Sequence, residues 1–79
     1  MDGATFKSEL RALGLKQVDF ARLLGHLTGT APPAATTIWR WTKDGPPESA
    51  GAALRLFAML PETKRARLLS DAKAAHQTD

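Results

Sequence analysis

The sequence predicts an all-α protein, a compact bundle of about five short helices in one domain. Three observations predict it. Apolar residues recur at three- and four-residue spacing in successive segments, glycine and proline fall between those segments, and no stretch alternates polar with apolar residues as a half-buried strand does. At 79 residues the chain has room for a single core. It lies near the size at which burial alone barely stabilises a fold, so self-association would help.

The elements follow in order. Phe6, Leu10 and Leu13 recur at i, i+4 and i+7 with Gly14 behind them as a cap, which predicts a first helix over residues of about 4 to 13. Phe20, Ala21 and Leu24 share a stripe in a second helix, expected to close at Gly25, where glycine tolerates the left-handed conformation. GHLTGTAPP then holds two glycines and two prolines. Either the second helix runs on through His26-Leu27-Thr28, or this segment forms a loop. Pro33 can open a third helix, because a first-turn proline loses no intrahelical bond. Gly45-Pro46-Pro47 ends it and sets up a fourth, with Glu48 favourable in the first turn and Ala50, Ala53, Leu54, Phe57 and Leu60 on the apolar side. Gly51 inside that helix costs roughly 1 kcal/mol relative to alanine, which points to a close crossing. Pro61-Glu62 begins a fifth helix with Ala66, Leu69 and Ala72 directed inward. The domain is expected to span residues 1–75, with 76–79 a flexible tail.

Composition narrows the function classes. No cysteine is present, which excludes disulfides, thiolate nucleophiles and cysteine-based zinc sites and fits a reducing, cytoplasmic setting. His26 and His76 are far apart with no ligand-spaced partner, so no metal site is expected. No apolar run has the length of a signal peptide or a membrane span; AALRLFAML is interrupted by Arg55. The serines lack a nucleophile-elbow context, no glycine-rich phosphate loop occurs and the acids are scattered, so neither an enzyme nor a cofactor is expected. No small-molecule effector pocket is evident. The net charge of +3 suits a polyanionic partner without requiring one.

Both tryptophans stand within TTIWRWTKDGPP, residues 36 to 47. Neighbouring helical residues sit about 100° apart, so Trp39 and Trp41 cannot face the same way. Ala34, Ile38 and Trp41 fall on one stripe with Thr37 at its border, while Thr36, Trp39, Arg40 and Lys43 point away. Trp41 is therefore the expected core residue. Trp39 is expected either at a contact surface or packed on the segment that precedes the helix.

LGLKQVDFARLLG, residues 13 to 25, resembles the opening of the lambda-repressor/Cro (XRE-like) type of helix-turn-helix, with the pattern falling on Leu13, Gly14, Leu15, Gln17, Ala21 and Gly25. TTIWRW followed by Gly45 is similar to the end of that family's recognition helix. The resemblance covers roughly residues 4 to 60. It implies a helix-turn-helix in which Ala21 supplies the small residue at the crossing, Gln17 contacts the DNA backbone, and Lys16, standing where a capping serine or threonine is common, can add a phosphate contact. The connection between helices 2 and 3 is about seven residues longer than the family's usual three or four.

The resemblance thus implies a sequence-specific transcriptional regulator, a repressor of phage or bacterial type, that binds an inverted repeat in double-stranded DNA as a homodimer. Thr36, Trp39 and Arg40 are the expected base readers, and Lys16, Gln17 and Lys43 the phosphate contacts. Leu56, Met59, Leu68 and Leu69 are left for the dimer interface. Lys64, Arg65 and Arg67 read as a solvated basic face, with backbone contact or dimer pairing as the alternatives. The rival class is a protein-interaction module, antitoxin-like or an adaptor, using the same surface with Trp39 central. RNA binding is weaker, since stacking platforms for single strands are missing.

Overall fold

In the computed structural model, which describes residues 1–75, five helices and no strand occur among the described residues, as the sequence predicts. The tail expected at 76–79, with His76, lies outside them. The first helix, α1 (Gly3–Ala12), starts where the Asp2 carboxylate accepts the Thr5 backbone N–H at 2.8 Å. Hydrogen bonds from Thr5, first its hydroxyl and then its backbone N–H, hold the Asp2 carboxyl below its ordinary range, so this cap weakens only as pH falls through that lowered value.

The second helix, α2 (Gln17–Thr28), runs one turn past the expected stop. Gly29 takes the left-handed conformation instead, with φ +69°, and the Gly29 and Thr30 N–H groups both bond the Gly25 carbonyl. Gly25 is buried inside the helix for a different reason. A methyl built on it lies 2.9 Å from the Pro32 nitrogen and 2.9 Å from the Thr30 carbonyl oxygen. Residues 29–34 therefore fold back onto α2, and the Thr28 hydroxyl fastens the corner by donating to the Leu24 carbonyl at 2.8 Å and meeting the Thr30 hydroxyl at 2.7 Å.

The third helix, α3 (Ala35–Asp44), begins two residues later than Pro33 would start it. Ala34 is extended, with ψ 152°, and its carbonyl takes the first bonds from Thr37 and Ile38. Docking of Pro32 on Gly25 leaves Pro33 and Ala34 to bridge outward from α2, so Ala34 is exposed rather than part of the inward stripe.

The fourth helix, α4 (Glu48–Ala58), buries Ala50, Leu54 and Phe57, with Ala53 and, just beyond its end, Leu60 half-buried. The close crossing expected at Gly51 is absent. A methyl there would meet only the Pro46 Cγ at 3.8 Å and the Met1 Cβ at 3.9 Å, ordinary contact distances. Gly51→Ala should therefore stabilise the fold by about 0.4–1 kcal/mol through the unfolded chain's lost freedom. Thermal denaturation checks it, with a rise of a few degrees expected; a fall would mean the site is tighter than these distances.

The fifth helix, α5 (Glu62–Ala75), packs along α2 through buried Ala72 and half-buried Leu68 and Leu69. Ala66, expected inward, is exposed. Arg65 holds that side of the stripe, because its guanidinium Nη1 reaches back to donate to the Leu60 carbonyl at 2.7 Å. A half-buried arginine with its head on a carbonyl just past a helix end is tolerated where charge alone suggests a solvated face. Lys64 and Arg67 are exposed.

The core joins α1 to α4 around Phe6, Phe20, Leu23, Ile38 and Leu54, all inaccessible to solvent. Phe6 and Phe20 meet edge to face with centroids 5.3 Å apart. Trp41 approaches them edge-on at 6.2 and 6.5 Å, partly buried. Ala21 is buried on α2, which packs against α3, while α3 also lies along α1. No helix among the described residues is long and apolar enough to cross a membrane.

Candidate nucleic-acid interface

With Ile38 buried and Trp41 against the two phenylalanines, the orientation of α3 is fixed from behind. Thr36, Trp39, Arg40 and Lys43 consequently share its outer face, and all four are exposed. Trp39 is 56% accessible rather than packed on the segment before the helix. A cation stands over its ring, the Lys43 Nζ at 5.3 Å from the centroid. The Thr42 hydroxyl donates to the Trp39 carbonyl at 2.6 Å, closing the last turn. The face thus combines an aromatic plane, a guanidinium, an ammonium and a hydroxyl on a backbone held by the core.

The start of α2 contributes Lys16 and Gln17, both exposed. Lys16 has no acceptor on its side chain and makes no side-chain cap, so only the return half of a capping arrangement forms: the Asp19 carboxylate accepts the Lys16 backbone N–H at 3.2 Å. The absence of a capping oxygen leaves the first N–H groups of α2 open to an outside acceptor. Lys16 and Gln17 line a shallow hollow with Lys7, Leu10 and Arg11 of α1, Leu15, and Thr42 of α3. Sequence reasoning passed over Lys7 and Arg11. Their signal was available in the spacing, since cations at i and i+4 around the inward Leu10 must lie together on the outside of α1.

The four residues expected at a dimer interface separate into two places. Leu56, 64% accessible, and Met59, 79% accessible, line an apolar groove with Leu27, Ala53, Phe57, Leu60 and Leu68. Leu69 borders a different, charged hollow with Asp19, Arg22, Ser70 and Lys73. Leu68 and Leu69 are also half-buried against the protein's own core, because α5 packs on α2. His26, half-buried, lies beside the loop at Gly29, Thr30 and Ala31, and no group of three metal-ligating side chains occurs among the described residues.

The chain was compared with family models, curated proteins and solved structures, and it matches none of them.

Proposed function

We propose that the protein is a sequence-specific DNA-binding regulator of transcription that reads duplex DNA through the outer face of α3 and acts as a homodimer. The observation that carries this reading is the joint exposure of Thr36, Trp39, Arg40 and Lys43 on one face of a helix whose other side is anchored in the core. An α-helix fits the major groove, where a guanidinium can take both acceptors of a guanine edge and an aromatic plane can lie on a thymine methyl. Arg40 and Trp39 are suited to those roles, with Thr36 reaching a base edge from the helix start. Lys43, Lys16 and Gln17 would meet phosphates and fix the register.

A single such module makes few contacts, and two half-sites about one helical turn apart supply the rest. The groove at Leu56 and Met59, bordered by Leu27 of α2 and Leu68 of α5, is off the proposed reading face and offers apolar area for pairing. Occupying a promoter would make the protein a repressor, working on the nucleoid in the cytoplasm.

Selection of binding sites from random duplex DNA tests the reading, and enrichment of an inverted repeat is the expected result. Arg40→Ala should then lose about 1–3 kcal/mol of discrimination at one base position while the fold is kept. Unchanged discrimination would remove Arg40 from the reading role. Lys43→Ala should weaken all sequences alike and lower the salt slope by about 1.

The exposure of Trp39 favours a second reading, a protein-interaction module with that ring at the centre of the contact. Salt separates the two. Phosphate contacts weaken steeply as salt rises, whereas an aromatic-centred interface does not.

A further inference from the structure

We infer that the DNA footprint extends from α3 onto α1, with Lys7 and Arg11 gripping the phosphate backbone from the hollow they share with Lys16 and Gln17. This inference rests on the DNA-binding reading and adds to it a second contact row from a helix that the resemblance gives no role. Three cations from two separate helices converge on the hollow, and none of the residues lining it is acidic. The Asp19 carboxylate, in the first turn of α2, accepts the Lys16 backbone N–H. Lys7, Arg11, Lys16 and Gln17 are all exposed, so their charged and amide groups are not committed to the protein interior.

The hollow is continuous with the reading face. Thr42, which closes it on the α3 side, lies about 60° round the helix from Trp39. A duplex seated on Trp39, Arg40 and Lys43 therefore has its flanking strand on the side where Lys7 and Arg11 stand. Two flexible cations spaced one helical turn apart suit a backbone that runs past them. They carry no base-reading geometry, so their contribution is to affinity and register rather than to sequence choice.

The test is the salt dependence of binding to a fluorescently labelled mixed-sequence DNA duplex, read by anisotropy between about 50 and 200 mM salt. The double variant Lys7→Gln/Arg11→Gln should flatten the slope of log affinity against log salt by about 1.8, two contacts at about 0.9 each. Across that fourfold rise in salt the unaltered protein should then lose about 12-fold more affinity than the variant. Lys64→Gln/Arg67→Gln, which removes the same charge from exposed positions on α5, should leave the slope unchanged. Equal flattening by both variants would assign the effect to net charge and overturn the inference. A slope unaltered by Lys7→Gln/Arg11→Gln would overturn it while leaving DNA binding by α3 standing. Failure of the unaltered protein to bind any duplex would remove both.

Discussion

Phe20→Ala should remove a large share of the fold's stability. Its ring is wholly inaccessible and lies 5.3 Å from the Phe6 ring and 6.5 Å from that of Trp41, centroid to centroid. Truncating a buried phenylalanine costs about 3–5 kcal/mol in transfer and cavity energy. The two edge-to-face pairs lost with it, at about 0.5–1.5 kcal/mol each, place the cost toward the upper end of that range. A domain of this length has a total stability of only about 4–12 kcal/mol, at roughly 0.05–0.15 kcal/mol per residue. The loss thus takes up about half of what holds the fold at the middle of both ranges. Denaturant titration followed by circular dichroism measures it, and a loss below about 1 kcal/mol would show that the ring is not in the core. Trp41→Ala should cost less despite the larger side chain, because part of that indole already faces solvent.

Gly25→Ala should destabilise, even though alanine is the better helix former by about 1 kcal/mol. The added methyl meets backbone atoms of Thr30 and Pro32 that no rotamer change can move. Residues 29–34 must therefore lift off α2, at a cost of about 1–3 kcal/mol for an overpacked contact. At roughly 4–8 °C per kcal/mol, a drop in melting temperature of several degrees or more is expected. The pairing with Gly51→Ala makes the result diagnostic, since the same chemical change on another helix should raise the melting temperature. If both variants raise it, propensity alone governs and the folded-back connection is wrong. Because that connection also sets where α3 begins, Gly25→Ala should disturb sites near Thr36 more than sites near Lys43.

These two glycines show how far the sequence was legible. The number and order of helices followed from periodicity and from punctuation by glycine and proline, which are local properties. The inward sides of α1 and α4, and the opposite orientation of the two tryptophans, followed from the helical repeat. What glycine does at a given place is decided by whatever chain comes near it, and proximity is not a local property. Gly25 therefore read as a stop and is a contact, while Gly51 read as a contact and has room to spare. Arg65 escaped for a related reason: an inward arginine is legible only once the Leu60 carbonyl it reaches is in place. The outer face of α3 was legible as a set of residues. Lys7 and Arg11 became neighbours of Lys16 and Gln17 through the turn between α1 and α2, where the Leu15 N–H bonds the Leu10 carbonyl at 2.8 Å.

The first residues of the chain lie against the end of the proposed reading helix. A methyl on Gly3 would stand 2.5 Å from the Lys43 carbonyl oxygen and 2.6 Å from that of Thr42, and one on Gly45 would stand 2.6 Å from the Met1 carbonyl oxygen. Any sequence fused ahead of Met1 thus emerges beside Gly45 and the start of α4, at the end of the proposed reading helix. An affinity tag placed there would crowd that end of the helix, by bulk or by charge. Binding measurements call for the tag at the carboxyl end, or for its removal before the first titration.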